Sequence, residues 1–339
     1  MAINRVEIKD FLVFQGEFAV DFCSGVNVII GGNGTGKTTL MKVMYLITEL
    51  ENTRKKLSPD DKSKYSALKH YFHNICINSC YLSWGTNKSI TNRQKTEIYV
   101  HCVLDDLNIV NDASTVGGLA LTRPGNQIFI PAKDILEHSE GLLALNNTRE
   151  IPFDQTYIDI LSNAELGVTK EISETNKLIL NKIKDIIGGE VEFENDTFYI
   201  VKSDGQKVPY SLEASGYRKF GLLWKLARNG LLEDGTILFL DEPENSLNPE
   251  LMPELVNVLL ELQRGGVQIF IATHSEILAS YFAVNRKKDN EVNFFSLYKD
   301  GAQIKCNKSD RFDLLTPNTL TAEQVNLYER EIEKGLGNA

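Results

Sequence analysis

The chain has 339 residues, 42% hydrophobic and 24% charged, which suits a globular protein of one large or two modest domains and excludes a disordered chain. Its net charge of −10 argues against a surface built throughout to grip phosphate backbones, so any basic nucleic-acid face must be local. Five cysteines without framework spacing, no basic leader at Met1–Phe11 and no apolar run of membrane-span length lead us to expect a cytoplasmic protein without membrane contact.

In chain order, Val6, Ile8, Phe11, Phe14, Phe18, Val20 and Phe22 alternate as strand residues do, with Gly16 and Ser24-Gly25 as turn signals. Val26–Ile30 is an apolar, β-branched run and predicts a buried strand. Leu40, Val43, Met44, Ile47 and Leu50 then recur at helical spacing, so a helix starts near Lys37. Residues 51–95 are polar and mixed and read as a helical insertion with loops. Strands are expected at Glu97–Leu104, Leu119–Thr122 and Gln127–Ile130. A helical segment follows from Ala132 to Ile187, its last helix marked by Ile172, Ile179, Ile183 and Ile186. Asn195-Asp196 predicts a hairpin between Val191–Phe193 and Thr197–Val201. Phe220, Leu223 and Leu226 share a helix face. Asn248, Pro249 and Glu250 form a helix start for Leu251, Leu255, Leu259 and Leu262. The last 65 residues read as a helix, an edge hairpin around Lys299-Asp300-Gly301 and a charged tail. No heptad pattern persists long enough for a coiled-coil arm.

Two local patterns carry chemistry. Gly31-Gly32-Asn33-Gly34-Thr35-Gly36-Lys37-Thr38 fits G-x-x-x-x-G-K-[ST] between a buried strand and an amphipathic helix. Glycines there let backbone N–H groups converge on phosphate oxygens. Lys37 offers a charge to the outer phosphates, Thr38 a hydroxyl to Mg²⁺, and the helix start at Lys37-Thr38-Thr39 its positive dipole end. The second pattern is the apolar strand Ile237–Leu240 ending in Asp241-Glu242-Pro243. Asp241 is a candidate Mg²⁺ ligand, and Glu242 is placed to orient or deprotonate an attacking water.

Ser211–Lys219 precedes that acidic strand, Glu244-Asn245-Ser246-Leu247-Asn248-Pro249 follows it, and strand Val267–Ala272 ends in Thr273-His274-Ser275. At these residues, and at Ile8–Phe11, the chain resembles the ABC-type ATPases that include SMC and RecF-like proteins and the ATPase parts of OLD proteins. The resemblance covers roughly residues 1–48 and 190–300 and implies an α/β P-loop NTPase fold with an ABC-type head. Its expected parts are a mixed, largely parallel central sheet flanked by helices, an N-terminal antiparallel β layer and a helical lobe. It implies an ATP- and Mg²⁺-dependent ATPase in which Ser215 and Gly216 reach across a homodimer to the partner's γ-phosphate. Asn245 and Ser246 would line that interface, and His274 would sense the γ-phosphate. Glu-Ala-Ser-Gly-Tyr stands where the family has Leu-Ser-Gly-Gly-Gln/Glu, so whether Ser215 or a neighbour supplies the signature hydroxyl is open. Gln127 and Lys133 are alternatives for the glutamine-loop position.

The domains expected are an ATPase core from residues 1–50 and 190–300, an inserted lobe at 51–189, and a C-terminal strand and charged tail at 301–339. The armless outline also resembles ATPase subunits of bacterial antiphage systems such as Septu. This implies a sensor or regulatory scaffold, dimeric or larger, for a separately encoded nuclease or toxin. A RecF-like ATPase that binds DNA directly and a weakly hydrolysing ATP-gated scaffold are the alternatives. Asn307-Lys308-Ser309-Asp310 fits the guanine-specifying N-K-x-D pattern but lacks its buried strand. His70, His73, Cys76 and Cys80 match no standard zinc spacing, and the short basic runs 54–56 and 286–288 read as solvated surface.

Overall fold

A computed structural model describes residues 2–56, 97–102, 106–110 and 126–337, apart from 135, 137, 138, 144, 146–153 and 170. Among these the chain runs β1 (Ile3–Phe11), β2 (Phe14–Asp21), β3 (Val26–Gly31), α1 (Lys37–Lys56), β4 (Glu97–Cys102), β5 (Asp106–Val110), β6 (Gln127–Ile130), α2 (Gln155–Glu165) and α3 (Glu174–Ile187). It continues with β7 (Gly189–Glu194), β8 (Thr197–Lys202), β9 (Lys207–Pro209), α4 (Ser215–Arg228), β10 (Ile237–Asp241), α5 (Met252–Arg264) and β11 (Gln268–Ala272). The last elements are α6 (Glu276–Asn285), β12 (Val292–Asp300), β13 (Gln303–Ser309) and α7 (Thr319–Gly335). The strand expected at Leu119–Thr122 and the cluster His70, His73, Cys76 and Cys80 lie outside the described residues.

The central sheet has the order β13-β12-β3-β11-β10-β6. It is parallel from β12 to β6, and β13 closes one edge as the antiparallel arm of the expected hairpin. Such a sheet is buried on both faces, and the residues alternate accordingly. Val26, Val28, Ile30, Leu238, Leu240, Ile269 and Ile271 face the larger core with α2 to α5. Ile29, Ile237, Phe239, Phe270 and Ala272 face a second core with α1 and the N-terminal strands. On that second face Phe239 stacks between Phe270 (5.1 Å) and Phe129 (6.1 Å), and Phe22 meets Phe270 edge-on at 5.0 Å. β6 comes from the segment expected as an insertion, yet it completes the central sheet beside β10.

The N-terminal layer is a sheet of order β2-β1-β4-β5, its described pairs all antiparallel. Its first reversal falls at Leu12-Val13 rather than at Gly16. Asp10 and Leu12 take positive φ (51° and 53°), while Gly16 lies inside β2 and donates its N–H to Asp10 Oδ1 at 2.8 Å. The sheet β7-β8-β9 carries the predicted Asn195-Asp196 turn, both residues at positive φ (50° and 59°) as a type I′ hairpin requires. The segment before it is broken rather than continuous, and among the described residues it includes the separate helices α2 and α3. Asp154 caps α2 and Ser173 caps α3, so Ile172 precedes the last helix, and Ile187 rather than Ile186 completes its fully buried stripe. Asn248 caps a short 3-10 turn, Pro249–Leu251, from which α5 continues.

Candidate functional site

Parallel strands end together, and here the ends of β3, β11 and β10 each hand over to a loop with chemistry. After β3 the phosphate-loop backbone turns at Gly31 (φ 150°) and Gly36 (φ 90°). A Cβ at Gly31 would sit 2.3 Å from Leu297 O, and one at Gly36 2.7 Å from Val13 Cγ2, so both positions require glycine. Thr35 is buried and donates its hydroxyl to Gly32 O at 2.9 Å, leaving Asn33 and Gly34 exposed at the tip. Lys37 is buried and curls back over its own loop, Nζ donating to Gly31 O (2.8 Å) and Gly32 O (3.2 Å). Burial lowers its pKa, against the opposing pull of Glu242, Asp241 and Glu244. Thr39 is half-buried in the first turn of α1.

At the end of β10, Asp241 is paired in register with Ala272 of β11. Thr38 Oγ1 lies 3.0 Å from Asp241 Oδ1 and 3.1 Å from Oδ2 and donates to this carboxylate. Burial pushes Asp241 up to about 6, Thr38 opposes that rise, and Glu242 adds to it. A buried carboxylate against a hydroxyl offers the hard oxygen donors that a small divalent cation prefers, so Thr38 and Asp241 fit Mg²⁺.

Glu242 has a left-handed backbone (φ 46°) and is tied to β11 by its N–H to Ala272 O at 2.8 Å. Its Oε1 lies 3.6 Å from His274 Nε2, and its Oε2 accepts from Asn245 Nδ2 at 2.6 Å. His274 is held through its backbone. Glu244 Oε1 accepts from His274 N (2.8 Å) and from the Thr273 hydroxyl (2.7 Å), while Thr273 N donates to Ile29 O at 3.0 Å. Burial, then Lys37, lowers the His274 pKa; Glu242 and Glu244 raise it less. The next residue, Ser275, caps α6 by accepting from Leu278 N at 3.1 Å.

Ser215 and Gly216 open α4 on the far side of the acidic turn. Ser215 Oγ donates to Ser246 O at 3.0 Å, and Gly216 sits beneath Leu247 and Leu251. Ala214 is exposed and provides no side-chain cap. The two glutamine-loop alternatives separate on register. Gln127 pairs with Ile237 at the opposite end of β10 from Asp241, whereas Lys133 lines a cavity together with Asp134, Arg218, Lys219 and Asp241. The Asn307-Lys308 match lies in edge strand β13. There Asn307 Nδ2 donates to Thr316 O at 2.5 Å, and Lys308 Nζ donates to Asp21 O at 3.2 Å.

Two residues of this neighbourhood had no role in the sequence reading. Glu244 bridges the loops after β10 and β11, as described above. Lys219, on α4 one turn after Ser215, donates to Pro243 O at 2.9 Å and reaches Glu242 O at 3.5 Å. Its spacing of four from Ser215 was the available signal, because i and i+4 share a helix face.

An AAA ATPase domain model matches residues 1–188, and an AAA domain model described with the AbiEii toxin of type IV toxin–antitoxin systems matches residues 131–280. The DNA replication and repair protein RecF of Lactobacillus gasseri is 26% identical over 268 residues, 70% of each chain. A structural maintenance of chromosomes protein 3 homolog from Plasmodium falciparum is 24% identical over 229 residues, 63% of this chain and 16% of its own length. Among solved structures, an SMC head bound to the C-winged helix domain of ScpA shares the fold. Its TM-score is 0.54 at 11% identity, over 91% of this chain and 98% of that one. The chain belongs to the AAA ATPase domain family and is an SMC/RecF-like, ABC-type P-loop ATPase. No helix among the described residues is long and apolar enough to cross a membrane.

Proposed function

We propose that the chain hydrolyses ATP in a site completed by a second copy of itself, and that the resulting clamp regulates a separately encoded effector protein. The observation that carries this reading is the Glu242–His274 pair beside the Thr38–Asp241 pair, both at the strand ends that bear the phosphate loop. Lys37 leaves its two carbonyls for the outer phosphates, and Thr38 and Asp241 hold Mg²⁺. That ion supplies neutralisation of phosphate charge. Glu242 takes the proton of the attacking water as its oxygen bonds to the γ-phosphorus and the bond to the bridging oxygen breaks. His274 orients that carboxylate and contacts the γ-phosphate. Half-buried Ser215 and buried Gly216, at the start of α4, cap the partner's triphosphate, with exposed Asn245 and Ser246 beside them at the interface.

In this reading residues 1–50 and 190–300 form the ATPase core, 51–189 the lobe that selects the partner, and 301–339 an accessory strand and tail. The effector is a nuclease or toxin of a bacterial antiphage system. The match to a family described with a toxin of type IV toxin–antitoxin systems supports that direction. The similarity to RecF supports a second reading, direct ATP-dependent binding of DNA.

The test is the mass of the purified full chain with and without MgATP, for wild type, Lys37→Ala and Glu242→Gln. Glu242→Gln should accumulate an ATP-bound dimer, wild type should cycle through it, and Lys37→Ala should stay unliganded. A Glu242→Gln protein that binds ATP yet remains monomeric defeats the shared site. Salt-sensitive DNA binding by the isolated chain, present only with ATP, selects the second reading.

A further inference from the structure

The first two turns of α4 hold the acidic turn at both ends. At one end Ser215 Oγ donates to Ser246 O; at the other Lys219 Nζ donates to Pro243 O and reaches Glu242 O. The gripped segment is bounded by two left-handed residues that are not glycine, Glu242 (φ 46°) and Ser246 (φ 60°). Such backbone persists only where its surroundings hold it. Between them Glu244 fastens the same segment to Thr273 and to the backbone of His274. One short turn therefore touches the signature helix, the candidate base and the histidine beside that base.

Lys219 differs from its neighbour in what it holds. Arg218 is paired with Asp134 and donates to Glu213 O, away from the acidic turn. The Lys219 ammonium is spent on main-chain carbonyls. Burial brings its pKa down to about 8 despite the nearby Glu244, Asp134 and Glu242. A half-buried ammonium is costly to keep, and here its hydrogen bonds go to the backbone that carries Glu242.

We propose that Lys219 is a positioning residue that couples the two nucleotide sites: it locks the backbone of Glu242 to the helix whose N-terminus engages the partner's nucleotide. A shift of α4 on engaging that nucleotide is passed through Lys219 to the carboxylate of its own chain. The inference rests on the shared-site reading above and adds to it the route by which one site informs the other.

The experiment is a double-mutant cycle on the full chain with Lys219→Met and Glu242→Gln, reading ATP affinity, ATP-dependent association and single-turnover phosphate release. Lys219→Met should keep ATP affinity and the dimer but slow turnover roughly 10- to 100-fold, since small misplacement of a base is costly. In the Glu242→Gln background the same substitution should cost no further rate, because Lys219 acts through that carboxylate. Equal losses in both backgrounds, no loss in either, or loss of ATP affinity in step with rate would each overturn the proposal. If Lys219→Met does not fold, Lys219→Arg takes its place in the cycle with the same expectations. Should wild type neither turn over ATP nor associate with it, the shared-site reading fails instead; turnover and association with an additive cycle refute only the role of Lys219.

Discussion

His274 Nε2 lies 3.6 Å from Glu242 Oε1, a separation that brings the histidine to the carboxylate without a full hydrogen bond. Burial and the Lys37 charge keep the imidazole pKa below its usual 6.5, so it is neutral at pH 7 and above. Acidification through that lowered value converts it to a cation that pairs with Glu242, which under the proposed mechanism weakens that carboxylate as a base. kcat/KM for MgATP, which reports the nucleotide-free enzyme, should be flat with respect to His274 from pH 7 to 8 and fall on an acid limb below 6.5. That limb should flatten in His274→Gln. A wild-type limb centred above pH 7 would contradict the assignment.

Asp241 titrates at about 6 where its ordinary value is 3.8. The folded chain therefore holds this proton more tightly than the unfolded one. Its contribution to stability is full below pH 3.8 and is lost as pH rises through about 6. At pH 8 the buried charge costs up to about 3 kcal/mol. Asp241→Asn should thus raise the melting temperature of the nucleotide-free protein at pH 8 while abolishing the further rise on adding MgATP. Calorimetry with and without nucleotide separates the two effects, and a nucleotide-free Asp241→Asn protein less stable than wild type at pH 8 would refute the sign.

Gly36→Ala combines a left-handed backbone with a Cβ placed 2.7 Å from Val13 Cγ2 and 2.8 Å from Phe14 Cζ. Gly301→Ala shares the left-handed backbone (φ 61°) but meets nothing within 4 Å. The first should cost about 1–3 kcal/mol and weaken ATP binding at least roughly tenfold, the second about 1 kcal/mol with ATP affinity intact. Equal ATP affinities in the two variants, measured by titration calorimetry, would mean that the loop does not need this glycine.

Phe239→Ala removes a fully buried ring stacked between Phe129 and Phe270 under the central sheet. A loss of about 3–5 kcal/mol in urea unfolding is expected, because the stack cannot close over the gap. A loss under about 1 kcal/mol would show that the face repacks.

Much of this fold was legible because its signals are local. Val26–Gly31 and Ile237–Asp241 are apolar runs that end at polar loops, and Asn195-Asp196 tolerates the two positive φ values that its turn requires. The reversal at Leu12-Val13 was not legible, since nothing in a leucine announces a left-handed backbone, and Gly16 nearby drew the turn to itself. Lys37 and Thr38 could be named from the glycine pattern between β3 and α1, and Asp241, Glu242 and His274 from their places at or just past the ends of apolar strands. Their convergence is a consequence of neighbouring parallel strands. Lys219 escaped because its partners are main-chain carbonyls, and Glu244 because one of its two partners, His274 N, is a main-chain atom. Main-chain partners leave no mark in side-chain identity. That Gln127 lies at the far end of β10 from Asp241 follows from register, which composition does not encode.

β12 runs alongside β3, and its Leu297 carbonyl closes against Gly31 so tightly that no side chain fits between them. The wall of the nucleotide cradle is thus supplied by chain that lies more than 250 residues downstream of the cradle itself. A lesion in that late strand would masquerade as a lesion in the loop. A chain cut short before Val292 would lose its grip on triphosphate while every motif residue was still in place.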